Sequence, residues 1–215
     1  MPSVFAATVE RGSSEHCTHM SAVRRDIVIC LAGLTACGKS TAARRLAKKY
    51  CLKYVSGGTT LKELALKAGI TDTNKGWWET PHGMRFLKRR QQDPGFDKQV
   101  DDQLLSFAKQ GGVVLDSWTM PWLSEKGFKI WLEVSPQERA RRLTRRDGMS
   151  LEKAEETIRQ KDGKTKQIYK KLYGFKLGED YSPFDVVLDG ESLTAEEVFD
   201  TLSLIIDRLV LKRRR

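Results

Sequence analysis

The sequence predicts an α/β fold, a three-layer arrangement around a parallel five-stranded sheet, on three observations. Short runs that are nearly all apolar recur along the chain, as strands covered on both faces of a parallel sheet require. Amphipathic stretches with helical spacing separate them. The two kinds alternate over most of the chain, which is the pattern of βαβ units.

Taken in order, residues 27–32 (IVICLA) form the first buried strand. Residues 39–50 set Ala42, Ala43, Leu46, Ala47 and Tyr50 on one helical face. A short strand at 53–56 precedes a helix at 59–68. Thr80 is an N-cap with Pro81 at the first helical position. Residues 97–110 space Val100, Leu104, Leu105, Phe107 and Ala108 as a helix. Strands are predicted at 113–116 and 129–134. Ser135-Pro136-Gln137-Glu138 is a capping box that opens a helix through 146. Two more helices fit 150–160 and 164–172, and 184–189 is the last strand. Thr194 caps a helix running to about 210.

The 215 residues suffice for one globular domain. A composition 40% hydrophobic and 31% charged fits a soluble protein of cytoplasmic type. No apolar run approaches the ~18 residues of a membrane span, and no secretory signal opens the chain. Residues 1–25 read as a flexible N-terminal extension, and 212–215 as a basic tail. The four cysteines have no paired metal-type spacing. The net charge of +10, concentrated in RARRLTRR (139–146) and the terminal KRRR, favours polyanionic partners, either nucleotides or nucleic acid.

Gly33-Leu34-Thr35-Ala36-Cys37-Gly38-Lys39-Ser40 matches the phosphate-loop pattern GxxxxGK[ST], with a buried strand before it and a helix after it. Such a loop wraps phosphate with inward-pointing N–H groups, and its glycines permit the close approach. Residues 33–41, with Thr41, are therefore the expected ATP site of a P-loop NTPase fold. Lys39 would reach the β- and γ-phosphates, and the Ser40 hydroxyl would bind Mg²⁺. Asp116, at the end of a strand, is the second expected Mg²⁺ holder. Arg142, Arg145 and Arg146 share a helix face that Arg139 extends, a basic lid for phosphoryl transfer. No NKxD guanine-reading motif occurs.

Beyond the loop, an ordered set of motifs resembles the archaeal-type cytidylate kinases among the nucleoside monophosphate kinases. The set comprises YVSGG (54–58), DPGFDKQVD (93–101), VVLD (113–116) with Trp122, the arginine-rich lid running into SLEKA (150–154), and YKKLYG (169–174). The resemblance covers 26–211. It implies a monophosphate-binding part at about 56–110, a helical lid at about 139–168, ATP and Mg²⁺ as cofactors, and a phosphorylated acceptor, most readily CMP or dCMP. It implies acceptor contacts at Ser56, Asp97 and Asp101.

The sequence departs from the family on the acceptor side. Lys62 stands where arginine is usual, and lysine lacks the bidentate fork. Ser117-Trp118 replaces a Gly-Arg whose arginine grips the acceptor phosphate, and Lys161 and Ile168 replace lid arginines. The insert NKGWWETPHGMRFLKRRQ is long and aromatic. Arg85 is the first expected replacement cation, then Arg89, with Arg90 also in reach; Trp77, Trp78, Trp118 and Trp122 are candidates for stacking a flat group. Two other readings stay open. One is a P-loop kinase of the same fold with another acceptor. The other is an ATP-binding module engaging RNA or a ribonucleoprotein through its basic lid and tail.

Overall fold

The computed structural model describes residues 26–70 and 77–211. The N-terminal extension, the basic tail and the start of the insert lie outside the described residues. The five strands are β1 (Val28–Ala32), β2 (Lys53–Ser56), β3 (Val113–Asp116), β4 (Phe128–Glu133) and β5 (Val186–Asp189). They form one parallel sheet in the order β2-β3-β1-β4-β5. β1 is central, and all five of its residues are buried, as its unbroken apolar run requires.

The period-two alternation of β1 divides the core. Ile27, Ile29 and Leu31 join Ala43 and Leu46 of α1 (Lys39–Tyr50) and Leu202 and Ile206 of α8 (Ala195–Ile206). Val28 and Cys30 face the opposite side, with Leu61 of α2 (Gly57–Lys67), Phe86 of α3 (Pro81–Gln92) and Leu104 of α4 (Gly95–Gln110). Helix, sheet and helix make the three layers. α6 (Pro136–Asp147) and α7 (Leu151–Tyr173) pack together, and α7 lies against α3. None of the described helices is long and apolar enough to cross a membrane.

Several boundaries differ from the sequence reading. The helices predicted at 150–160 and 164–172 are one 23-residue helix that passes through Gly163. Ala154, Thr157, Ile158, Asp162, Thr165, Ile168 and Tyr169 continue a single buried stripe on both sides of that glycine. A mid-helix glycine costs about 1 kcal/mol relative to alanine, less than this packing supplies. α2 begins at Gly57, two residues early, because the Ser56 hydroxyl accepts from Thr59 N and caps it. A 3₁₀ turn at Trp77–Glu79 and a short helix α5 (Met120–Leu123) were not predicted. The last helix passes into a π turn (Asp207–Leu211).

Candidate active site

The loop after β1 begins with a backbone that only glycine fits. Gly33 has φ +152°, and a Cβ there would lie 2.6 Å from Cys37 Sγ and 2.7 Å from the Leu132 carbonyl oxygen. Gly38, at φ +100°, is the N-cap of α1, so Lys39 and Ser40 start the helix whose N-terminal dipole faces the loop. Thr35 to Thr41 line the cleft, whereas Gly33 and Leu34 do not. Leu34 packs in the apolar cluster with Trp131 and Leu177.

A buried ion pair fastens the loop from outside the cleft. Arg139 Nη1 donates to the Thr35 carbonyl (3.0 Å) and to Asp162 (2.6 Å), and the Thr35 N–H donates to Asp162 Oδ1. Arg139 Nε donates to the Val134 carbonyl. Arg139 is 3% exposed, so it does not extend the basic face as the helical spacing predicts. It is a clamp joining α6, α7 and the phosphate loop.

The three expected lid arginines do line the cleft. Arg142 is engaged with backbone, donating from Nη1 to the Cys37 carbonyl (3.1 Å) and from Nη2 to the Gly190 carbonyl (2.6 Å). Arg145 and Arg146 are exposed and pair with Glu138 and Asp147. Burial would raise Glu138, but Arg142 and Arg145 hold its carboxyl below the usual range.

The cleft has a volume of about 900 Å³ and reaches from α8 across the phosphate loop to α2, α3 and α4. Asp116 is 3% exposed at the end of β3 and accepts from the Tyr54 hydroxyl at 2.9 Å. It lines the cleft together with Ser40. A hydroxyl and a carboxylate are hard oxygen donors, so this pair fits Mg²⁺ shared with nucleotide phosphates.

On the acceptor side, Ser56, Lys62, Asp97, Asp101 and Trp118 all line the cleft. Arg85 and Arg89 do not. Both are exposed on the outer face of α3, and the Arg89 guanidinium lies over Phe96. The reason is helical phase: Gly83, Phe86, Leu87 and Arg90 form the buried stripe, so positions 85 and 89 point away. The inward cation is Arg90, 4% exposed and bidentate to Asp97, with Nε to Oδ2 at 3.0 Å and Nη2 to Oδ1 at 2.5 Å. Phe86 and Leu87, four and three residues earlier, were the available sequence signal. Tyr169, buried beside this pair, also lines the cleft; burial first and then Asp97 raise its hydroxyl well above the ordinary range.

Trp118, in place of the expected arginine, is half-buried, with Lys39 Nζ 5.3 Å from its ring centroid and Tyr169 edge-on. Ile168 is buried in the adjoining apolar cluster. Thr35 Oγ1, Trp77 Nε1, Trp118 Nε1 and Thr165 Oγ1 are buried without a hydrogen-bond partner, and all four residues line the cleft. Such atoms are rare in ordinary cores, and four of the six among the described residues lie around this one cavity, Thr144 Oγ1 and Ser203 Oγ being elsewhere.

Asp101 accepts from Thr119 Oγ1 (2.5 Å) and Tyr173 Oη (2.7 Å), yet burial pushes its carboxyl from 3.8 to about 6. The folded state therefore binds more protons than the unfolded chain between those values. The stability this group contributes is fully present below pH 3.8 and is lost as pH rises through 6. Its ionisation costs on the order of 3 kcal/mol at neutral pH. Asp101→Asn is thus expected to gain melting temperature relative to the parent most at pH 7.5, with the gain shrinking toward pH 4.5. A pH-independent difference would show that this carboxyl is not raised.

A family model described as "Cytidylate kinase-like family" matches residues 28–192. Among curated proteins, the chain is 32% identical over 173 residues to a cytidylate kinase of Pyrobaculum arsenaticum, covering 80% of this chain and 88% of that one. It is 30% identical over 188 residues to a cytidylate kinase of Methanocaldococcus jannaschii, covering 85% and 99%. A solved shikimate kinase from Bacteroides thetaiotaomicron superposes with a TM-score of 0.51 at 16% identity, covering 84% of this chain and 98% of that one. That likeness is one of fold, a P-loop kinase fold. The matched span runs from the first strand past the arginine-rich helix and covers most of the chain, and on that evidence the chain belongs to the cytidylate kinase-like family.

Proposed function

We propose that this nucleotide kinase transfers the γ-phosphoryl group of ATP to the phosphate of CMP or dCMP. The observation that carries the reading is one continuous cleft joining an intact phosphate loop to a wall that holds Arg90, a desolvated guanidinium oriented by Asp97.

Lys39 and the N–H groups of the loop hold the ATP phosphates, and Arg145 and Arg146 offset charge that spreads onto the phosphoryl oxygens. Mg²⁺, held by Ser40 and Asp116, would supply further charge neutralisation on the phosphates. Arg90, with Lys62 and Lys161, grips the acceptor phosphate. An oxygen of that phosphate attacks the γ-phosphorus as the bond to the β–γ bridging oxygen breaks, giving ADP and a nucleoside diphosphate. The acceptor oxygen is already anionic at neutral pH, so no side chain has to remove a proton. The carboxyls of Asp97 and Asp101 suit the exocyclic amino group of cytosine, which can only donate.

A coupled ADP-release assay against CMP, dCMP, UMP, AMP and GMP tests this. CMP and dCMP should be the best acceptors, with UMP well behind because it presents a carbonyl where cytosine has the amino group. A preference for a purine monophosphate would sink the acceptor assignment. ATP binding without turnover of any monophosphate would favour a different acceptor, and salt-sensitive RNA binding that persists without ATP would favour the RNA-associated reading.

A further inference from the structure

Of the four tryptophans that could stack a flat group, the fold commits two to packing. Trp77 is 1% exposed within the apolar cluster around Phe86. Trp122 stacks on Phe175 at 4.2 Å, and its Nε1 donates to Asp180. Trp118 carries Lys39 and abuts Tyr169. Trp78 shares a half-buried place in the cleft with Trp118, but it comes from the insert that departs from the related kinases and stands at the acceptor end beside Arg90.

Its orientation is fixed from behind. Trp77 meets it edge-on with centroids 4.6 Å apart, and Phe86 lies 6.3 Å away. The 3₁₀ turn that carries both indoles is clipped to α3 by Thr80, whose hydroxyl donates to the Trp77 carbonyl (2.7 Å) and accepts from Gly83 N. Gly83 is what lets this turn sit so close. A Cβ there would be 2.2 Å from the Trp77 carbonyl oxygen and 2.8 Å from Trp78 Cα. The chain thus uses a glycine, a cap and two aromatic contacts to hold one indole at the acceptor end.

Two cations lie over that indole, near the outer limit of a cation–π contact: Lys161 Nζ at 5.7 Å and the Arg90 guanidinium at 5.9 Å from its ring centroid. Both line the same cleft. A flat ring held from behind, with two positive groups over it that a ligand anion would draw off its face, suits a ligand that is flat and aromatic at one end and anionic at the other. That chemistry is a nucleobase joined to a phosphate.

Resting on the proposed kinase reading, we propose that Trp78 is the base-stacking platform of the acceptor site, and that the insert supplies base recognition while Arg90 and Lys161 take the phosphate. Stacking is tolerant of base identity, so Trp78 contributes affinity for the base, and selection among bases falls to the polar groups of α2 and α4.

The test uses the full chain. Trp78→Ala should raise the acceptor KM about tenfold, with a smaller change in kcat and unchanged ATP affinity by calorimetry. Trp78→Phe should recover most of the loss. Titration with CMP should quench tryptophan fluorescence in the parent and lose that quench in Trp78→Phe, although four tryptophans remain. Gly83→Ala should give the same acceptor-specific defect without lining the cleft. Should that variant fail to fold, Thr80→Val, which unclips the turn, replaces it. An unchanged acceptor KM in Trp78→Ala, or equal losses for ATP and acceptor tracking a fall in melting temperature, would overturn the platform while leaving the kinase reading intact. If the parent phosphorylates no nucleoside monophosphate, the kinase reading fails and the platform falls with it.

Discussion

Lys39→Ala is expected to lower turnover about 100-fold or more, a loss of order 3 kcal/mol in transition-state stabilisation. Lys39 is the first residue of α1, directly after the left-handed Gly38, so its position is set by the same turn that aims the loop. Its ammonium faces the cleft beside Trp118 and is the charge of the loop able to follow the transferring group. The ground-state complex also uses this charge, so ATP affinity should fall too, but by less than kcat. Circular dichroism and melting temperature should stay close to the parent, because Lys39 is only half-buried and belongs to none of the buried ion pairs. A well-folded variant with undiminished turnover would show that the phosphate loop is not the donor site.

What the sequence made legible was local. The phosphate loop could be read because a buried strand, two glycines and a helix start are contiguous, and each has its own short-range physical cause. The parallel sheet could be read from the alternation of apolar and amphipathic runs, but its order could not. β1 sits between β3 and β4, which begin 85 and 100 residues later, and nothing in a single strand names its neighbours. The clamp under the loop was missed for the same reason. Arg139 and Asp162 are 23 residues apart, and only the packing of α6 on α7 brings them together. In the sequence Arg139 looks like one more member of a basic face.

The cation that α3 turns into the cleft was misread for a different reason. Arg85 and Arg89 share a helix face, as expected, but that face is the wrong one. The phase of α3 is set by Phe86 and Leu87, which must reach the core, and they carry Arg90 inward with them. Weighing the apolar anchors before the charges would have selected Arg90. Likewise, Gly163 suggested nothing about continuity until the buried stripe on each side of it was followed.

Arg90 also carries the sharpest test of the acceptor side. Arg90→Met should abolish measurable turnover of CMP, and it should also cost about 3–5 kcal/mol of stability, because Asp97 is left buried without a counter-charge. Those two effects are confounded in the single variant. Pairing it with Asp97→Leu removes the stability cost, since replacing both members of a buried ion pair by apolar groups of similar volume is often neutral or stabilising, and the loss of CMP use that remains then belongs to the Arg90–Asp97 pair as a unit. The double variant should therefore regain most of the lost melting temperature yet remain unable to use CMP, while ATP affinity stays near the parent value. Arg90→Lys keeps the charge but cannot reproduce the fork that Asp97 receives through Nε and Nη2, so it should fall between the parent and Arg90→Met. Arg85→Ala and Arg89→Ala, on the exposed face, should each change stability by less than about 0.5 kcal/mol and leave CMP turnover near the parent rate. If the restored double variant phosphorylates CMP normally, Arg90 is only a structural partner of Asp97. The acceptor phosphate would then have to be held by other cations of the cleft, Lys62 and Lys161 first among them.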